Sequence, residues 1–279
     1  MKSTFILFLA TVFLATSCNS KKTESSSGDT WKFDSLTVDK RVHINNDVTK
    51  DGMLIKFNFV YPTSVPESLN LKEVQNIFAC IITGKNDFQG TPQEAFDQAL
   101  TKSTADAEEL AKDMGNEDLE YTHFSNFELM RSSEISMDAK DVITVAVSDY
   151  SYTGGAHGMH GTSYRNIDKR SGTLIKEDQL FKPGYADKLA ILIQNEIERR
   201  NNAESKNEVE AIPLLEDVKD VKPNGNFYFT KDGVTYAYNI YEISPYSQGI
   251  VEITIPHEQI TPLVNDQYLQ VIDNLKQEL

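Results

Sequence analysis

The feature that most restricts the fold of this chain is that its strand-forming stretches follow one another in hairpins instead of alternating with helices. The clearest case is Phe227 to Tyr241, "FYFTKDGVTYAYNIY", two aromatic and β-branched runs around a turn at Asp232-Gly233. Met53, Ile55, Phe57, Phe59 and Tyr61 alternate with Lys56 and Asn58, so one face of that strand is apolar, and Thr49 to Gly52 supplies the turn before it. Pro62 and Pro66 are expected to end it. Asp141 to Tyr152 is rich in β-branched residues, Asn166 to Ile175 turns at Lys169 to Gly172, and Gly249 to Ile255 closes at Pro256. Helical periodicity is confined to separate blocks: Asn70 to Ile82, Thr91 to Gly115, Tyr185 to Arg200 and Asp266 to Leu279. Hairpins in series with helices in blocks predict an α+β fold, with antiparallel sheets and several packing helices.

The ends limit where such a fold can sit. Phe5 to Leu14 is an apolar run too short to span a bilayer, and Leu14-Ala15-Thr16-Ser17-Cys18 resembles a lipoprotein cleavage site. Residues 1–17 are therefore expected to be a signal peptide, with acyl chains on Cys18 as the membrane anchor. Residues 18–30 are polar and serine-rich and read as a tether. The expected location is the cell envelope, at the outer membrane, facing the periplasm or the cell surface. About 250 residues remain, room for one large domain or two sharing a core. The natural division lies near Tyr150, giving companion segments 31–149 and 150–279. A net charge of −15 argues against nucleic acid as a partner. With Cys18 lipidated, Cys80 stands alone in an apolar run and is expected to be a buried, inert thiol.

The stretch with most chemical potential is Tyr150 to Tyr164, "YSYTGGAHGMHGTSY". His157 and His160 lie three apart, but Gly154, Gly155 and Gly158 argue against a helix that could present both to one ion, and no further ligand stands at a recognised spacing. No metal and no cofactor is expected. The glycines instead predict a turn between strands, with His157 hydrogen-bonded inside it. No nucleophile elbow or phosphate loop is present. Tyr236, Tyr238, Tyr241 and Tyr246 suit either a core or a recognition surface, since tyrosine joins a large ring to a polar tip. The loop "YEISPYSQG", punctuated by Pro245 and Gly249, has the character of an ordered recognition loop. His157, His160, Tyr241 and Tyr246 are the candidate ligand-binding residues, and no catalytic residue is assigned.

Five stretches in order carry a resemblance: "YTGGAHG" (Tyr152 to Gly158), "NID…SG" (Asn166 to Gly172), "EDQLF" (Glu177 to Phe181), Asn226 to Gly249, and "IVEITIP" before "HEQI". Over roughly Tyr150 to Leu263 the chain resembles the extracytoplasmic domain of the lysozyme-sensing anti-sigma factors, a module of unknown function also found beside the catalytic domain of a peptidoglycan deacetylase. The first half resembles more weakly the companion domain that precedes it. The resemblance implies an extracytoplasmic α+β binding module and transfers no activity. It implies as ligand a cell-wall fragment or a basic wall-attacking protein such as lysozyme, which the acidic charge would steer. A wall hydrolase using the two histidines and a structural subunit of an envelope complex are the alternatives.

Overall fold

A computed structural model describes residues 30–116, 124–204 and 211–278. The expected leader, Cys18 and most of the tether lie outside the described residues. Among those described, no helix is long and apolar enough to cross a membrane.

β1 (Lys32–His43) and β2 (Gly52–Ser64) form the first hairpin. The apolar alternation read from Met53 onward is buried at Met53, Ile55, Phe57 and Phe59. β2 runs on past Pro62, because its second neighbour reaches only Asn58 and leaves the proline outside the doubly paired part of the strand. The chain then crosses over through α1 (Leu71–Thr83) and α2 (Pro92–Asn116). Asn70 caps α1 by accepting from the Lys72 N–H, and Gly84 ends it at φ 68°. Thr91 and Glu94 close a reciprocal capping box on α2: each side chain accepts the other's backbone N–H, at 3.2 and 2.7 Å.

The crossover delivers β3 (Glu128–Asp138) parallel to β2, the one parallel pairing among the described strands. A parallel neighbour needs a long connection, and two helices supply it. β4 (Val142–Tyr152), β5 (Met159–Asp168) and the short β6 (Thr173–Leu174) complete a six-stranded sheet in sequence order. Val74, Phe78 and Ile82 of α1 and Phe96 of α2 pack on its Ile55, Phe57, Ile143 and Val145. Burying a large apolar side chain contributes about 1.5–3 kcal/mol, so this face holds the layer together.

The rest of the chain builds a second layer. After α3 (Glu177–Leu180) and α4 (Ala186–Glu204), β7 (Phe227–Phe229), β8 (Gly233–Tyr238) and β9 (Val251–Pro256) form a three-stranded antiparallel sheet, followed by α5 (His257–Ile260) and α6 (Leu269–Glu278). Phe229, Tyr236, Ile253 and Ile255 pack with Leu189, Ile193 and Ile197 of α4 and Val271, Ile272 and Leu275 of α6. Val142 of the first sheet joins this second core.

The division expected at 149/150 falls inside β4, whose neighbour β5 continues the same sheet. The chain therefore changes layer only after β6. The free edge of β5 meets the second sheet through asparagine side chains. Asn226 Oδ1 accepts the Tyr164 N–H at 2.8 Å and its amide donates to the Thr162 carbonyl at 2.9 Å. Asn239 Oδ1 accepts the Thr162 N–H at 2.7 Å. Asn166, buried on β5, accepts from the Thr144 hydroxyl and donates to the Phe227 carbonyl, both at 2.8 Å. Amide side chains can do this because each carries both a donor and an acceptor.

His257 opens α5 in a buried position, its Nε2 donating to the Thr230 carbonyl at 3.1 Å while Nδ1 has no partner. Burial lowers its pKa below the usual value, against a smaller opposing effect of the Thr230 bond. A base whose folded pKa is depressed stabilises the fold fully above its unfolded pKa and loses that contribution as pH falls. Stability is expected to fall as pH drops from about 6.5 through the lowered folded value. In His257→Gln this part of the pH dependence of the thermal midpoint should disappear; an unchanged profile would assign it to other groups.

Candidate functional site

The loop at 153–158 connects β4 to β5. Gly154 and Gly155 adopt φ 100° and 96°, a region closed to most side chains, so the chain can reverse there. Gly158 is glycine for another reason. A Cβ at Gly158 would lie 2.6 Å from the ring of Tyr150, so the loop is folded down onto that ring. Tyr152 braces the loop by donating its hydroxyl to the Gly155 carbonyl at 3.0 Å.

The second half of the site comes from the turn after β8. Tyr236 and Tyr238 are buried, whereas Tyr241 is 49% exposed. The tyrosine series thus divides, the strand members serving the core, Tyr241 facing outward and Tyr246 half-buried. Tyr241 sits at φ 66°, an outlier for a bulky residue that costs on the order of 1 kcal/mol or more. Its N–H is held by the Ser244 carbonyl at 3.1 Å, and Gly249, at φ 73°, ends the short turn that carries Tyr246.

The two loops meet. His157 stacks on Tyr246 with ring centroids 3.7 Å apart and planes inclined by 20°. His160, on β5, approaches Tyr246 edge-on at 5.7 Å, and Tyr241 lies 5.9 Å from the same ring. His157 Nδ1 is 3.1 Å from the Gly158 carbonyl, which can only accept, so Nδ1 carries the proton. Nε2 is then left to accept from the Tyr241 hydroxyl, a long contact of 3.4 Å. His157 therefore bonds inside its loop, as its sequence suggests, and reaches across to the tyrosine loop as well. All four candidate ligand-binding residues fall in one cluster around Tyr246.

Stacked rings with polar tips offer flat apolar faces and donors at their edges, the combination enriched at binding surfaces. Among the described residues no group of three His, Cys, Asp or Glu is placed to hold a metal. A cavity of about 410 Å³ adjoins Tyr241, walled by Leu214, Leu215, Tyr238 and Ile243. Cys80 is half-buried, its thiol donates to the Phe88 carbonyl at 3.5 Å, and burial raises its pKa, which keeps it protonated and unreactive.

A second polar region was not legible in the sequence. Glu177 Oε1 accepts from the Tyr185 hydroxyl at 2.9 Å, while Oε2 is buried without a partner. Burial, then this bond, pushes Tyr185 up to about 12. Tyr236 is raised well above its usual value by burial and then by the Glu177 carboxylate, although its hydroxyl has no aligned partner. Residues of this region come together only through the fold.

Residues 49–160 match the family model described as "Deacetylase PdaC", and residues 178–258 match that described as "Protein of unknown function (DUF3298)". The resemblance to a domain of unknown function shared with a peptidoglycan deacetylase is thus borne out. The glycine-histidine stretch belongs to the first of these matches, so it closes the PdaC-like region instead of opening the DUF3298 one. The peptidoglycan-N-acetylmuramic acid deacetylase PdaC of Bacillus subtilis (strain 168) is 23% identical over 185 residues, 65% of this chain. This chain spans only 38% of that relative's length. A crystal structure of a DUF3298 family member from Bacteroides fragilis NCTC 9343 matches with a TM-score of 0.71 at 24% identity, covering 90% of this chain and 99% of its own. A DUF3298 family protein from Pseudomonas aeruginosa PAO1 matches at 0.57 and 16% identity, covering 85% and 96%. These two likenesses show the α+β fold.

Proposed function

We propose that this chain, with its PdaC-like and DUF3298 regions, is a cell-envelope module that acts by binding, is held at the membrane through acyl chains on Cys18, and takes a cell-wall glycan across the ring cluster. The observation that carries this reading is the convergence of His157, His160, Tyr241 and Tyr246 from two loops, with Tyr241 held at a costly φ while half-exposed. Strain of this kind persists where the surroundings enforce it and clusters at ligand sites. The deacetylase relative supports a wall glycan as the ligand. A basic, lysozyme-like protein is the second reading, favoured by the net charge of −15.

Co-sedimentation with insoluble peptidoglycan tests the proposal. The wild-type chain is expected to pellet with the wall, and Tyr246→Ala to weaken binding about tenfold or more, as loss of a central aromatic does, with little change in thermal midpoint. Equal sedimentation of the two would overturn the ring cluster as the site. Retention on immobilised lysozyme, lost with salt and without any wall binding, would favour the second reading.

A further inference from the structure

The face of β5 that carries Ile167 into the helix-covered core also carries Ser163 and Arg165. These two residues, with Asn86 and Leu174, are shared by the walls of two adjoining cavities of about 630 and 230 Å³. The larger lies within the size range of small-molecule sites. Its wall continues through Tyr164, Lys176, Glu177 and Tyr185.

Among the described residues Arg165 has no counter-ion, and its only side-chain bond is from Nη1 to the Tyr164 carbonyl, at 2.9 Å. Among the described residues no carboxylate lies within 4.0 Å of it. The other arginine of the smaller cavity, Arg131, holds Asp149 at 2.6 Å, and Arg170 holds Asp168 at 2.7 Å. Arg165 is withdrawn from water, and desolvation lowers its pKa. Glu177, Asp178 and Glu242 line the larger cavity and Asp149 the smaller, yet none of them pairs with this guanidinium. A partly desolvated guanidinium without a partner is unfavourable, and four of its five N–H donors are unspent. Beside it, the Ser163 hydroxyl and the Asn86 amide make no bond to another described side chain or backbone group.

We infer that the cavities at Arg165 form a carboxylate site for an acidic sugar. The guanidinium takes the carboxylate through two parallel N–H bonds, a geometry that arginine matches and lysine does not. Ser163 and Asn86 supply donors and acceptors for ring substituents. This rests on the glycan reading above but uses a different surface from the ring cluster.

The test is a calorimetric titration of the full chain with N-acetylmuramic acid and with N-acetylglucosamine, which differ by one lactyl carboxylate. The expected result is a Kd at least about tenfold lower for the acid, a preference that shrinks with added salt. In Arg165→Gln the two constants should converge, and Arg165→Lys should retain part of the preference. Equal constants in the wild type, binding of neither sugar, or an unchanged preference in Arg165→Gln would each overturn the site. Should Arg165→Gln not fold, as judged by circular dichroism, the wild-type salt series decides: a preference unaffected by salt overturns the ion pair. Tyr246→Ala is expected to keep the sugar preference while losing wall sedimentation, so the two readings fail separately.

Discussion

Gly233→Ala is expected to cost more than about 4 kcal/mol and to leave little folded protein at ambient temperature, the range reached only by a few named mechanisms. A Cβ at Gly233 would stand 2.0 Å from the Ile255 carbonyl oxygen and 2.7 Å from its carbon. Both are backbone atoms of the neighbouring strand, so no rotamer change can relieve the overlap. β8 is the central strand of its sheet, and its Val234, Tyr236 and Tyr238 fill the second core. Moving it away from β9 would open that core. Equilibrium denaturation in urea would read the loss. Asp232→Ala, in the same turn but exposed, serves as the control and should change stability by no more than about 0.5 kcal/mol. A mild effect of Gly233→Ala would mean that the strands can separate at little cost.

Asn166→Leu is the second large effect, with an expected loss of about 2–4 kcal/mol. Leucine keeps much of the volume and strands two partners. The Thr144 hydroxyl, fully buried, loses its acceptor, and the Phe227 carbonyl loses its donor. Adding Thr144→Val should recover part of the loss, since removing both members of a buried polar pair costs less than orphaning one. Thermal midpoints would show this as a fall of roughly 2–4 °C per kcal/mol for a chain of this size. Simple additivity of the two substitutions would argue against the pair acting as a unit.

What the sequence discloses about this protein depends on the range of the interaction. Caps and stops are local, so Asn70, Gly84 and the Thr91–Glu94 box are specified by residues within a turn of them. The hairpin at Asp232-Gly233 reads correctly as a hairpin, but the reason for glycine does not. Its φ is ordinary, and the need comes from Ile255, which lies distant in sequence. The parallel pairing of β2 with β3 is invisible for the same reason, because alternation specifies a strand and not its neighbour. At the candidate site, residue type pointed to His157, His160, Tyr241 and Tyr246, while their meeting around Tyr246 required the fold. Arg165 carries no local signal, since an arginine in a strand looks solvent-facing until the absence of an acid nearby is known.

The asparagine seam has a mechanical consequence. Strands within a sheet separate by unzipping a ladder, and each broken bond loads the next. Across the seam there is no ladder: the Thr162 and Tyr164 amides are held by Asn239 and Asn226 side chains, each anchored to a different turn. The layers can therefore part along this line with both sheets intact, rupturing a few discrete fasteners in parallel. Under load, or in slow amide exchange, Thr162 and Tyr164 would let go before the paired amides of β4, while Val142, reaching from the first sheet into the second core, would still tie the two layers together.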